Sequence, residues 1–84
     1  MRHQYAVRMR LGVLDIGSNT VHLLIADVIP GGRPLATTSK RTVLRLMRYL
    51  EPDGSISEEG VAALVAAVAE AREIAAVENV AELL

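Results

Sequence analysis

The stretch LDIGSNTVHLLIAD, residues 14–27, sets a carboxylate and a run of small polar residues between two apolar segments. The types suit phosphate chemistry. Gly17 has no Cβ, so a ligand can approach its backbone, and it is free to take a positive φ. Ser18, Asn19 and Thr20 supply short hydroxyl and amide groups, and successive N–H groups of a turn can form a concave anion nest. Asp15 would repel a bare phosphate, which argues for a divalent cation between them. Mg²⁺ suits that place, because it keeps most of its waters and uses one or two carboxylates together with phosphate oxygens. The structural alternative is plain: Asp, Gly, Ser and Asn are also the commonest turn formers.

The elements on either side read as a scaffold. Residues 9–16, MRLGVLDI, form a first strand with Leu11 and Val13 set against Leu14 and Ile16. Residues 21–28, VHLLIADV, form a second, with Val21, Leu23 and Ile25 on one side and Leu24, Ala26 and Val28 on the other. The short polar link between them predicts a β-hairpin. PGGRP, residues 30–34, is a second turn, and a third strand is expected within residues 35–47, polar at first and alternating from Val43 to Met47. EPDGS, residues 51–55, is a turn before a helix. Ser57 suits the N-cap, Glu58 and Glu59 suit the positive end of the helix dipole, and Ile56 and Val61 fall at the positions of a hydrophobic staple. The helix should run from Glu58 to about Val77. Val61, Leu64, Val65 and Val68 make an apolar stripe along it, and Asn79 suits a left-handed end. VAELL, residues 80–84, reads equally as strand or as more helix.

Composition bounds the rest. A chain of 84 residues is one domain or less, yet 51% of it is hydrophobic. A net charge of −1 gives no global field for nucleic acid or membrane. There is no cysteine, which excludes disulfides, thiol catalysis and zinc–thiolate sites, and no Phe or Trp for stacking on bases. No segment reaches the ~18 apolar residues of a membrane span, and Asp15 interrupts the first apolar run too early for a signal sequence. The expected location is cytoplasmic.

Other residues carry less. His22 follows the polar turn and could touch phosphate, though a packed or hydrogen-bonded strand histidine is the simpler reading. His3 lies in the first eight residues, expected to be an extension without a packed role. Arg33, Lys40, Arg41, Arg45 and Arg48 cluster in one third of the chain, as a polyanion would require and as ordinary surface charge would also explain. Glu58, Glu59, Glu70 and Glu73 fit solvated helix charges better than a general base.

GVLDIGSNTVHLLIADV resembles the first phosphate motif of the superfamily of actin, heat-shock and sugar-kinase ATPases. Its D-I-G-S-N-T form is most similar to the exopolyphosphatase / guanosine pentaphosphate phosphatase (Ppx/GppA) family, and KRTVLRLMRYLEPDGSISEEGVAAL is similar to that family's third strand, turn and first helix. The resemblance covers nearly everything from Met9 to Leu84. It implies an α/β, ribonuclease-H-like (actin-like ATPase) partial domain: three antiparallel strands, a helix, then the start of a fourth strand. It implies that residues 9–84 are the N-terminal part of a Ppx/GppA-type phosphatase domain, with residues 1–8 an N-terminal extension. Asp15 would help position Mg²⁺, and Gly17, Ser18, Asn19 and Thr20 would bind phosphate. Arg45 sits where the family has an arginine in an R-L strand pattern facing the active site, whereas Met47-Arg48 departs from the family's glycine. The substrate would be polyphosphate or a phosphorylated guanosine nucleotide, and the longer protein a homodimer. The family's catalytic glutamate has no counterpart here, so no catalytic residue is assigned in this chain and the general base is expected downstream of Leu84. A non-enzymatic phosphate- or nucleotide-binding module, as a monomer or a dimer, is the alternative from another class.

Both hairpin strands are apolar on both faces, and one helix is too narrow to cover them. Either the chain is the first piece of a larger α/β protein or a second copy covers the spare faces. The isolated 84 residues are therefore expected to associate or to expose hydrophobic surface, read by light scattering and dye binding; a dye-negative monomer would refute this.

Overall fold

The computed structural model describes residues 9–84. The extension expected over residues 1–8, His3 included, lies outside the described residues. Strand β1 (Met9–Ile16) pairs antiparallel with β2 (Thr20–Val28), from Met9 opposite Val28 to Ile16 opposite Val21. Strand β3 (Leu35–Val43) lies antiparallel on the other side of β2. A short 3₁₀ helix (Leu46–Tyr49) and helix α1 (Glu58–Val77) follow. The chain ends in β4 (Glu82–Leu83), parallel to β1, so the sheet order is β3-β2-β1-β4. A parallel neighbour needs a crossover connection, and α1 supplies it.

The alternation along β2 is realised. Val21, Leu23 and Ile25 are almost wholly buried against α1, each contributing about 2 kcal/mol by burial. A bulge in β3 leaves Thr37 extra between the residues paired with Ile25 and Ala26, and its hydroxyl donates to the Ile25 carbonyl at 3.3 Å. The other face of the sheet, with Leu11, Val13, Leu24 and Ala26, has no helix over it among the described residues, and Val13 is 44% exposed.

Helix α1 begins and ends as its sequence predicts. The Ser57 hydroxyl accepts from the Gly60 N–H at 3.3 Å, with Glu58 and Glu59 in the first turn. At the C-terminus Asn79 is left-handed (φ 58°), and the N–H groups of Asn79 and Val80 donate to Ala76 and Ala75 in a Schellman arrangement. Of VAELL, Glu82–Leu83 becomes strand, flanked by the N–H groups of Ala81 and Leu84 that bond to the carbonyls of Arg10 and Gly12, each at 2.8 Å.

Two expectations are corrected. The buried face of α1 is Gly60, Ala67, Ala71 and Ala75, with Ala71 against Leu23 and Ile25 and Gly60 against Tyr49 and Ile56, while Val61 and Val65 are 49% and 60% exposed. Small residues win because bulky Leu23 and Ile25 already fill the gap and the helix backbone must come close. The alternating run after Thr42 is not continued strand: β3 stops at Val43, the chain bends at Arg45 and coils through Leu46–Tyr49. Ile56 packs over Gly60 and pairs with Leu50 across the intervening turn.

At the far end of the hairpin Asp27 is 5% exposed. Arg10 grips it with two nitrogens, at 2.7 and 3.1 Å, and donates a third bond to the Glu78 carbonyl at 2.9 Å. The hydrogen bond to Asp27 raises the Arg10 pKa above its ordinary value, so the guanidinium stays charged. The Thr38 hydroxyl reaches the Glu78 carboxylate at 2.6 Å.

A Cβ on Gly60 would stand 2.6 Å from both Ile56 Cγ2 and Tyr49 Cβ. At an open helix position Gly→Ala stabilises by about 1 kcal/mol. Here Gly60→Ala is expected to destabilise by about 1–3 kcal/mol through overpacking, measurable by urea unfolding.

Candidate phosphate site

The candidate site lies at the end of the sheet remote from Asp27, where β1 passes into β2. Asp15 is the last residue but one of β1, exposed, and sits opposite His22 on the face turned away from α1. Gly17, Ser18 and Asn19 make the turn, closed by the Gly17 N–H donating to the Thr20 carbonyl at 2.8 Å. Gly17 does not use its freedom to take a positive φ, which occurs among the described residues only at Gly31, Arg45, Gly54 and Asn79. The turn closes without it, and a Cβ there would meet only the Thr20 carbonyl oxygen, at 3.6 Å. The fold itself therefore does not demand glycine at position 17.

The turn is held from outside. The Asn19 carbonyl accepts from the N–H groups of Leu44 (2.7 Å) and Arg45 (3.0 Å), and the Ser18 carbonyl accepts from Leu46 (2.9 Å). Three consecutive N–H groups can converge on two carbonyls because Arg45 takes a left-handed conformation, φ 55° and ψ 57°. Such a conformation is uncommon for a residue with a side chain and clusters at functional sites. With both carbonyls occupied, the turn is anchored by its acceptors. The side chains of Ser18, Asn19 and Thr20 make no hydrogen bond among the described residues, nor do the N–H groups of Ser18 and Asn19. Residues placed only to form a turn usually bond back to their own backbone.

The structure thus brings Ser18, Asn19 and Arg45 together through the backbone, with Asp15 and Thr20 at the adjoining strand ends. Arg45 lies beyond β3 rather than within it, as a bend residue whose exposed side chain leaves from the clasp. Sequence reasoning missed the clasp: the alternation in VLRLM signals strand, and a left-handed arginine has no local mark. His22 is the hydrogen-bonded strand histidine expected, its Nε2 meeting Ser39 Oγ of the neighbouring strand at 2.8 Å; the partner had no local mark in the sequence. Among the described residues no group of three or more His, Asp or Glu side chains could hold a metal ion, so Asp15 is a single oxygen donor. One donor of that kind fits a hydrated cation that also binds phosphate oxygens.

No protein-family model matches the chain. Exopolyphosphatase 1 of Mycobacterium leprae is 42% identical over 76 residues, which is 90% of this chain and 22% of that protein. Exopolyphosphatase 1 of Mycobacterium tuberculosis H37Rv is 43% identical over the same length. Among solved structures, an exopolyphosphatase from Cytophaga hutchinsonii superposes with a TM-score of 0.81 at 29% identity, over 90% of this chain and 24% of that one. The chain matches a segment of the Ppx/GppA exopolyphosphatases. A Ppx/GppA protein from Aquifex aeolicus, at 21% identity and a TM-score of 0.82 over 92% of the chain, shares the fold.

Three antiparallel strands, a helix and a fourth strand form a small α/β unit that matches part of the actin-like ATPase fold of Ppx/GppA proteins, and the chain spans about a quarter or less of these relatives. No helix among the described residues is long and apolar enough to cross a membrane.

The left-handed backbone at Arg45 predicts a separable effect. Arg45→Gly removes a conformational cost of about 1 kcal/mol and keeps the clasp, so the thermal midpoint is expected to hold or rise; Arg45→Pro removes the N–H bonded to Asn19 and is expected to lower it.

Proposed function

We propose that this chain supplies one wall of the active site of an exopolyphosphatase-like phosphohydrolase, which releases terminal phosphate from polyphosphate or from guanosine pentaphosphate. The observation that carries the reading is the clasped turn: its carbonyls are tied back by residues 44–46, while its free donors lie beside the exposed carboxylate of Asp15. The similarity to exopolyphosphatases supports it independently.

In this reading the N–H groups and side chains of Ser18, Asn19 and Thr20 hold the oxygens of the terminal phosphoryl group, with the exposed Arg45 guanidinium within reach of the same anion. Gly17 keeps the approach open. Asp15 would hold Mg²⁺ or a similar cation, which supplies neutralisation of phosphoryl charge when bound. A water attacks the terminal phosphorus and the phosphoanhydride bond breaks, with the bridging oxygen leaving on the shortened chain. The base that takes the water's proton comes from outside residues 9–84. The same reading puts the protein in the cytoplasm, as a homodimer in its longer form.

Asp15→Asn in the full polypeptide that the gene encodes is expected to cut Mg²⁺-dependent phosphate release by orders of magnitude at unchanged thermal stability. Near-normal release would leave Asp15 a turn residue. Gly17→Ala sharpens the test, since the fold has room for the methyl group: activity should fall without loss of stability.

A further inference from the structure

On the sheet face turned away from α1, Asp15, His22 and Arg41 occupy a single rung, Asp15 paired with His22 and His22 with Arg41. Paired residues project to the same face, so the three side chains form a row across β1, β2 and β3. Ser39, two residues before Arg41 on that face, meets His22 Nε2 at 2.8 Å, which orients the ring and leaves Nδ1 for another partner. Arg41 is exposed and makes no ion pair or side-chain hydrogen bond among the described residues. The cations of the opposite face are engaged: Arg10 holds Asp27 at 2.7 Å, and Lys40 lies 3.6 Å from Glu70. The row stands two residues from Thr20, about 7 Å along the strand from the end of the polar turn. It presents an imidazole and a guanidinium, groups that suit phosphate oxygens.

We propose that His22 and Arg41 form a second anion subsite that takes a phosphoryl group farther along a linked phosphate chain than the one at Ser18–Thr20. The arrangement is matched to a linear polyanion: one phosphoryl group at the turn beside Asp15, the next groups crossing the rung toward an arginine whose fork binds phosphate oxygens in pairs. Orthophosphate fills the turn alone and does not reach Arg41. The proposal rests on the reading of the turn as a phosphate site.

The test is calorimetric binding of orthophosphate, tripolyphosphate and long-chain polyphosphate to the full encoded polypeptide with Mg²⁺, at a fixed ionic strength of about 0.15 M. Arg41→Gln is expected to weaken tripolyphosphate and long-chain binding about tenfold, the scale of one lost charge-assisted contact, and to leave orthophosphate unchanged. Arg41→Lys should recover part of the loss, and His22→Gln should weaken the same two ligands. Lys40→Gln removes the same charge one residue away on the other face and should change nothing. Equal losses in Arg41→Gln and Lys40→Gln, a loss for orthophosphate as large as for the chains, or no loss at all would each overturn the subsite. Asn19→Ala separates the two levels. If it weakens orthophosphate while Arg41→Gln binds polyphosphate normally, the turn reading stands and the subsite falls. If Asn19→Ala alters no binding, both fall.

Discussion

A carboxylate buried in a small sheet has to be answered, and the answer organises this molecule. Asp27 closes a strand whose other inward residues are Val21, Leu23 and Ile25, and it is as inaccessible as they are. An unpaired ion there would cost several kcal/mol. Arg10 meets it with two parallel bonds and spends its remaining reach on the Glu78 carbonyl, where α1 ends. Thr38 adds β3 through the Glu78 side chain. Four elements are thereby tied at one corner. A slip of β1 against β2 by one residue would throw Arg10 and Asp27 to opposite faces, so the pair enforces the register.

That register decides what happens at the other end of the hairpin. With Arg10 opposite Asp27, Asp15 falls opposite His22 and the polar turn falls at Gly17–Asn19. The turn then needs an anchor, since an exposed loop at the end of two strands is otherwise free to move. The chain leaving β3 supplies it by bending left-handed at Arg45 and placing three N–H groups on two carbonyls. The sheet has a structural corner with its charges satisfied and a second corner with its donors unspent. An anion site on a rigid scaffold requires that division, because donors already committed to the fold cannot be offered to a ligand.

The helix shows the same economy of space. Ala67, Ala71 and Ala75 let α1 sit low on the bulky side chains of β2, Gly60 lets it close on Tyr49 and Ile56, and Gly12 gives Leu83 and Val80 room beside β1. The larger apolar residues Val61 and Val65 are left outward, and the second sheet face stays open. The chain spans about a quarter of its structural relatives.

Much of this was legible in the residues alone, wherever the cause is local. The alternation of β2, the polar turn, the Ser57 cap, the end of α1 at Val77 and the left-handed Asn79 each follow from a few neighbouring side chains and their preferred dihedrals. What the tertiary structure decided has its cause at a distance. The face α1 presents depends on which residues β2 has already placed in the gap, so volume overrides hydrophobicity. The stop of β3 at Val43 and the bend at Arg45 depend on the Asn19 carbonyl, some two dozen residues earlier in the chain, as the hydrogen-bond acceptor. Within Val80–Leu84, ambiguous by composition, Glu82–Leu83 becomes strand because β1 offers an unpaired edge. Asp15 and its polar neighbours are chosen by the sequence; that they stand together with free donors beside Arg45 is settled only by backbone hydrogen bonds between segments that no local pattern connects.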